Sequence, residues 1–308
     1  MEKYDCIIIG GGPAGLSAAL YASRGKMNTL VIEMKEFGGQ AATTDELENY
    51  PGSMEEPTGP KIVERMREQA ASFGTKFIVD VVLNIDAESD IKKIKTKKNE
   101  YETKTVIFAT GAQPRKIGCP GEDELRGKGV SYCATCDADF FTDLEVVVVG
   151  GGDSAVKEAI YLTKFADKVT VIHRRDQLRA APIHQEKAFA NPKIKFAWDS
   201  VVERIEGDGI VEKVVLKNVK TGKLTDYRTD GVFVFIGTVP KTDLLKGKVK
   251  MDKKGYIITN DDMETGIEGV YAAGDCRSKR LRQVITAAAD GAIAATAANE
   301  YIDKKFES

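Results

Sequence analysis

The chain has 308 residues, with 45 Lys+Arg against 47 Asp+Glu and a formal net charge of −2. That balance gives no footing for binding nucleic acid or an anionic membrane surface, and a hydrophobic content of 42% excludes wholesale disorder. A chain of 308 residues exceeds what one core usually organises, so two domains are expected.

Met1 to Asp5 lead directly into the apolar run Cys6-Ile7-Ile8-Ile9. This is too short for a secretory leader, and no stretch of about 18 apolar residues follows anywhere, so a cytoplasmic protein without a membrane span is expected. The run reads as a buried parallel strand. Gly10-Gly11-Gly12-Pro13-Ala14-Gly15 comes next, then a helical stretch over 16–23 and a second strand over 29–32 that ends at Glu33. This is βαβ, and it places Gly10, Gly12 and Gly15 in the strand–turn–helix context that gives G-x-G-x-x-G its meaning. The first glycine permits the turn, the second admits a pyrophosphate to the backbone, and the third lets helix and strand pack. The phosphates then meet the helix start at Pro13 and Ala14, whose free N–H groups begin at Ala14. A carboxylate at Glu33 accepts from a ribose 2′-OH and repels a 2′-phosphate, so this site expects FAD or NAD.

The unit closes on Val106-Ile107-Phe108-Ala109-Thr110-Gly111-Ala112-Gln113-Pro114, a strand that stops at glycine and proline, with Thr110 and Gly111 at the cofactor end. A domain crossing is expected at 113–117. Next come Cys133-Ala134-Thr135-Cys136 and Asp137. A C-x-x-C closes a disulfide and yields reactive thiols. Half a zinc site is the alternative, but zinc takes four N/S ligands; the chain has only two histidines, His173 and His184, and no second C-x-x-C, so no metal is expected. Asp137 suits either proton transfer in thiol–disulfide exchange or a helix N-cap. The other cysteines, Cys6, Cys119 and Cys276, are isolated and read as small buried hydrophobes.

The first pattern then repeats. Val146-Val147-Val148-Val149 leads into Gly150-Gly151-Gly152-Asp153-Ser154-Ala155, a helix over 156–164 and a strand over 168–172. Here the acid is replaced by His173-Arg174-Arg175, with Arg179 a turn further on. Guanidinium groups suit a 2′-phosphate, so the second site expects NADPH. Val232-Phe233-Val234-Phe235-Ile236-Gly237-Thr238-Val239-Pro240 echoes the close of the first unit, and a return crossing is expected at 241–245. The fold expected is α/β, two Rossmann-like dinucleotide-binding domains with the NADPH domain (115–242) inserted into the FAD domain (1–114 and 243–308). A hydride from NADPH reaches a protein disulfide through a flavin more readily than through a second nicotinamide, so FAD is the expected first cofactor.

Together with Gly38-Gly39-Gln40, Glu48-Asn49-Tyr50-Pro51-Gly52 and Ala272-Ala273-Gly274-Asp275, these motifs resemble the low-molecular-weight thioredoxin reductases, in family order across nearly the whole chain. The resemblance implies that FAD is held by residues 10–15, Glu33, Gly38, Gly39, Gln40, Asn49, Gly274, Asp275, Arg282, Gln283 and Val284. Asp275 would bond the ribitol, and the alanine-rich helix 287–298 would back the flavin. It implies that Cys136 faces the flavin, that Cys133 attacks the thioredoxin disulfide and that Asp137 is the acid/base. It also implies an NADPH domain that rotates on the two crossings, and a homodimer. Ala138 stands where the family has glycine, and Lys157 where it commonly has glutamate. The retained arginines argue against a ferredoxin-linked relative. A glutaredoxin-like protein or a small disulfide is the alternative substrate, and a non-catalytic nucleotide- or zinc-binding module the alternative class.

Overall fold

The computed structural model describes residues 1–43, 47, 50–52 and 57–306, and only the backbone of Thr135 and Cys136. From the N-terminus the chain forms β1 (Glu2–Ile9), α1 (Pro13–Arg24), β2 (Thr29–Glu33), α2 (Gly59–Ser72), β3 (Lys76–Val79), β4 (Val82–Asp86), β5 (Lys92–Thr96), β6 (Glu100–Phe108) and β7 (Ala112–Pro114). Next come β8 (Val130–Ser131), α3 (Ala134–Asp137), β9 (Glu145–Val149), α4 (Asp153–Leu162), β10 (Lys168–Ile172), α5 (Pro182–Ala190) and β11 (Ile194–Ala197). Then β12 (Ser200–Glu206), β13 (Lys213–Asn218), β14 (Leu224–Arg228), β15 (Gly231–Val234), β16 (Thr238–Pro240), β17 (Val270–Ala272) and α6 (Val284–Phe306) complete the chain.

Two compact units result: Met1–Gln113 with Val239–Ser308, and Pro114–Thr238. The connecting strands β7 and β16 pair as a two-stranded ribbon. The return crossing thus lies before the 241–245 stretch expected from the sequence. The reason is packing: Leu245 is fully buried in the core of the first unit, beside Ile7, Ile9 and Ile257.

The first unit is built on a seven-stranded sheet, β3-β2-β1-β6-β5-β4, with β17 also paired to β6. β1 is parallel to both β2 and β6. Residues 6–8 of β1 are wholly buried, as a parallel strand covered on both faces requires. α1 and α6 pack on this sheet through Ala14, Ala18, Ala22, Ala294, Ala295 and Ala298, a small-residue seam that lets the helices approach closely. β4 and β5 form an antiparallel extension that periodicity did not flag, although β5 alternates buried and exposed side chains.

The second unit has a five-stranded parallel sheet, β11-β10-β9-β15-β8, and a separate antiparallel sheet, β12-β13-β14. The duplication seen in the sequence recurs in the hydrogen bonds. Gly10 N–H donates to Ile32 O at 2.9 Å, and Gly150 N–H to Ile172 O at 3.1 Å. Ala109 N–H donates to Ile9 O and Phe235 N–H to Val149 O, both at 2.8 Å. Each unit therefore opens at the carboxyl ends of its strands where the strand order reverses, the place where open α/β sheets take ligands. Among the described residues no helix is long and apolar enough to cross a membrane.

Candidate active site

In the first unit the glycine turn leaves no room for side chains. A Cβ on Gly15 would lie 1.9 Å from Gly10 O, a backbone atom that cannot swing away. α1 begins at Pro13 behind Gly12, which supplies no capping side chain, so the first-turn N–H groups stay available for phosphate. Gly38 joins this loop by donating its N–H to Gly11 O at 2.7 Å. Gln40 donates through Nε2 to Ala112 O. Glu33 ends β2 with Oε2 accepting from Gly11 N–H at 2.7 Å, and Oε1 accepting from Met34 and Lys35 N–H at 2.7 and 3.1 Å. A carboxylate offers about four lone-pair positions, so one is left for a ribose hydroxyl. Thr110 and Gly111 lie at the same strand ends but bind Lys241: Thr110 Oγ1 donates to its O at 2.5 Å, and Lys241 N–H donates to Gly111 O at 3.0 Å. Asn49 lies outside the described residues.

The turn after β17 carries Gly274 and Asp275. Asp275 Oδ1 is buried and has no hydrogen-bond partner among the described residues. Burial pushes its carboxyl above the ordinary carboxylate range, against the pull of Lys279 and Arg282. A buried acceptor aimed at nothing is what a ribitol hydroxyl would satisfy, and with the glycine cradle it makes this unit a fit for FAD. Arg282 stacks over Tyr256 at 4.0 Å, and Gln283 immediately precedes Val284, the first residue of α6.

The sequence reading missed what holds this turn. Asp290, buried in α6, accepts from Gly274 N–H at 2.9 Å, from Arg277 Nη1 at 2.8 Å and from Lys279 Nζ at 2.8 Å. Its signal was a lone acid within the alanine-rich run 287–298. The side chains of Asp290, Arg277 and Lys279 are only 10%, 14% and 9% exposed, so removing the acid strands two buried cations. Asp290→Ala is expected to lower unfolding free energy by about 3 kcal/mol and to release FAD, measured by denaturant melts and flavin absorbance.

In the second unit Gly152 likewise caps α4 without a side chain. Asp153 turns aside, its Oδ1 accepting from Ala181 N–H at 2.7 Å, while Ser154 is exposed. That bond and Arg179 N–H to Gly151 O at 2.7 Å tie the arginine loop to the glycine turn. Arg174, Arg175 and Arg179 line a cavity of 370 Å³ together with Asp176, Asp199 and Lys220. Lys220 pairs with Asp176 at 3.3 Å and Asp199 at 2.9 Å, so the acids of this cavity already have a cation. The buried ring of His173 lies against Gly151, and its Nε2 has no partner among the described residues. Burial, then Arg179, Arg175 and Arg174, hold the imidazole below its ordinary range. An orphan ring nitrogen, an uncapped helix start and three guanidinium groups fit a 2′-phosphorylated dinucleotide.

Cys133 precedes α3 and is disulfide-bonded. Cys6, Cys119 and Cys276 are free; Cys6 and Cys276 are buried as expected, whereas Cys119 is only half-buried, and loss of solvent pushes their thiols up to about 12, 11 and 11 in chain order, far from the reactive range. Asp137 caps the 3₁₀ turn Ala138–Phe141 by position only, with no side-chain capping bond. Its Oδ2 instead accepts from Ser131 Oγ at 2.5 Å.

Two dinucleotide-type units and a redox disulfide define a pyridine-nucleotide disulfide oxidoreductase, and residues 4–291 match the family model for pyridine nucleotide-disulphide oxidoreductases, to which the chain belongs. Within that family the resemblance narrows to the thioredoxin reductases. The chain is 60% identical to the thioredoxin reductase of Peptoclostridium acidaminophilum, covering 99% of this chain and 98% of that protein. It is 48% identical to that of Bacillus subtilis, over 99% and 96%. The crystal structure of Lactococcus lactis thioredoxin reductase (FR conformation) superposes with a TM-score of 0.89 at 46% identity, over 98% of this chain and 99% of that one.

Proposed function

We propose that this enzyme reduces the disulfide of thioredoxin with NADPH, through FAD and the Cys133/Cys136 pair. The observation that carries the reading is a disulfide-bonded Cys133 between two glycine-turn repeats whose ribose ends carry opposite charge. FAD belongs to the unit Met1–Gln113 with Val239–Ser308, held by Gly10, Gly12, Pro13, Ala14, Gly15, Glu33, Gly38, Gly39, Gln40, Asn49, Thr110, Gly111, Gly274, Asp275, Arg282, Gln283 and Val284. NADPH belongs to the unit Pro114–Thr238, held by Gly150, Gly152, Asp153, Ser154, His173, Arg174, Arg175 and Arg179. The buried orphan acceptor of Asp275 supports the first assignment and the arginine cavity the second.

Bound flavin supplies a two-electron acceptor for the nicotinamide hydride and a donor to the protein disulfide. The rest is sulfur and proton chemistry. Two electrons open the Cys133–Cys136 bond. The Cys133 thiolate attacks one sulfur of thioredoxin's disulfide and the other leaves as a thiolate. Cys136 then attacks the mixed disulfide, re-forming the Cys133–Cys136 bond and freeing dithiol thioredoxin. The hydride's proton and one from solution complete the two new thiols. Asp137 takes a proton from the attacking thiol and returns it to the departing one. The reading extends to a cytoplasmic homodimer, which light scattering of the purified protein would check.

The test is an anaerobic NADPH titration of the purified protein, followed by NADPH-driven turnover against thioredoxin, a glutaredoxin-like protein, a small disulfide and ferredoxin. The protein is expected to be yellow, to bleach with NADPH, and to turn over fastest with thioredoxin. A colourless protein, or a clear preference for another partner, would refute the reading.

A further inference from the structure

We propose that Ser131 is a positioning residue for Asp137, because its one hydroxyl gives that carboxyl group a partner in both protonation states. The proposal rests on the reading of Asp137 as the acid/base. Ser131 is buried and ends β8, where it pairs with Phe233 in the five-stranded parallel sheet. A strand end is a rigid mount. Its Oγ lies 2.5 Å from Asp137 Oδ2 and 3.1 Å from Cys133 O, and it accepts the N–H of Cys133 at 3.0 Å. One oxygen thus touches the acid/base and both backbone groups of a cysteine whose sulfur is in a disulfide.

A hydroxyl has one proton to donate and two lone pairs to receive. It cannot donate to Asp137 and to Cys133 O together, so the two acceptors are alternatives. With Asp137 ionised, the Ser131 proton goes to the carboxylate, the stronger acceptor. The Cys133 N–H occupies one lone pair. When Asp137 has taken a proton, its own O–H donates to the second lone pair, and the serine proton turns to Cys133 O. The Ser131 proton never leaves its oxygen, and only an O–H rotation separates the two states. The Ser131 hydroxyl and the Asp137 carboxyl group stay bonded to each other in both states, which avoids the cost of leaving either bare. A group that takes a proton from one sulfur and returns it to another must hold its place through both events, and this hydroxyl supplies that hold.

The experiment compares Ser131→Ala, Ser131→Thr, Asp137→Asn and the S131A/D137N double variant as holoenzymes, with kcat and KM measured separately and flavin content checked. S131A is expected to lower kcat about tenfold, the value of one lost hydrogen bond, with KM for thioredoxin and NADPH unchanged. S131T, which keeps the hydroxyl, is expected to recover most of the loss. D137N is expected to lose about a hundredfold or more, and the double variant no more than D137N alone. A further loss on adding S131A to D137N would show Ser131 acting independently of Asp137 and overturn the proposal, as would a wild-type kcat in S131A. Full activity in D137N would instead overturn the acid/base reading beneath it. Should S131A lose its flavin, Ser131→Cys, of similar size but a weak donor, carries the same expectation.

Discussion

Replacing Cys136 with serine is expected to abolish thioredoxin reduction while the protein stays yellow and is still bleached by NADPH. Both halves follow from the division of labour along the chain. The glycine turn, Glu33 and the Asp290-anchored turn at Gly274 belong to the first unit, and residues 133–137 to the second. Flavin content should therefore match wild type. Electrons, however, can leave only by opening a sulfur–sulfur bond, and a serine hydroxyl forms no such bond and is no electron acceptor. Turnover with thioredoxin should fall at least about a thousandfold, to the assay background, as expected when a covalent nucleophile is lost. The measurements are absorbance of the purified variant, anaerobic bleaching by NADPH, and steady-state thioredoxin reduction. Turnover within tenfold of wild type in C136S would refute the redox role of the pair.

The second large effect is expected at the arginine cavity. Changing Arg174 and Arg175 together to alanine should lower kcat/KM for NADPH about a hundredfold, and leave the value for NADH within about twofold. Each charge-assisted bond to a phosphate contributes about 1.5–3 kcal/mol, and both side chains are exposed, so the low end applies to each. The asymmetry between coenzymes is the decisive reading, because a variant that merely loosened the fold would lose both. Rising ionic strength should weaken NADPH binding in the wild type more than in the double variant. An equal loss with NADH would place the arginines elsewhere than on the 2′-phosphate. Lys220 sharpens the expectation. By pairing with Asp176 and Asp199 it keeps those acids from taking up the guanidinium groups.

Local pattern carried much of this. Four-residue apolar runs, the glycine turns behind them, and the change from Glu33 to His173-Arg174-Arg175 are written in consecutive residues, and the folded chain repeats the same hydrogen bonds around both turns. The alanine seam of α6 was also legible, because small residues at helical spacing have one use. The antiparallel strands β12, β13 and β14 were not, since their order depends on which segments pair and not on any one segment. The return crossing was placed too late because the chain's second glycine–proline signal reads as the end of a strand. In the fold, β16 already pairs with β7 there, and Leu245 has gone into the core of the first unit.

What the sequence by itself determined was the residue type at each end, from which the expected chemistry follows: glycine turns suited to phosphate, a carboxylate at Glu33 suited to hydroxyls, arginines suited to an added phosphate, and a C-x-x-C pair, Cys133 and Cys136, suited to electrons. Only the tertiary structure decided what holds those groups still. Asp290 reaches back to Gly274, Arg277 and Lys279 from the far side of a turn. Buried Glu122 accepts from the N–H groups of Ile117 and Gly118 and from Tyr132, tying the start of the second unit to the residue before Cys133. Ser131 meets Asp137 across the redox turn. The physical reason is the range of the two effects. Backbone preference and burial act over a few neighbouring residues and so leave a periodic trace. A hydrogen bond between distant side chains depends on directions that exist only after strands and helices have packed.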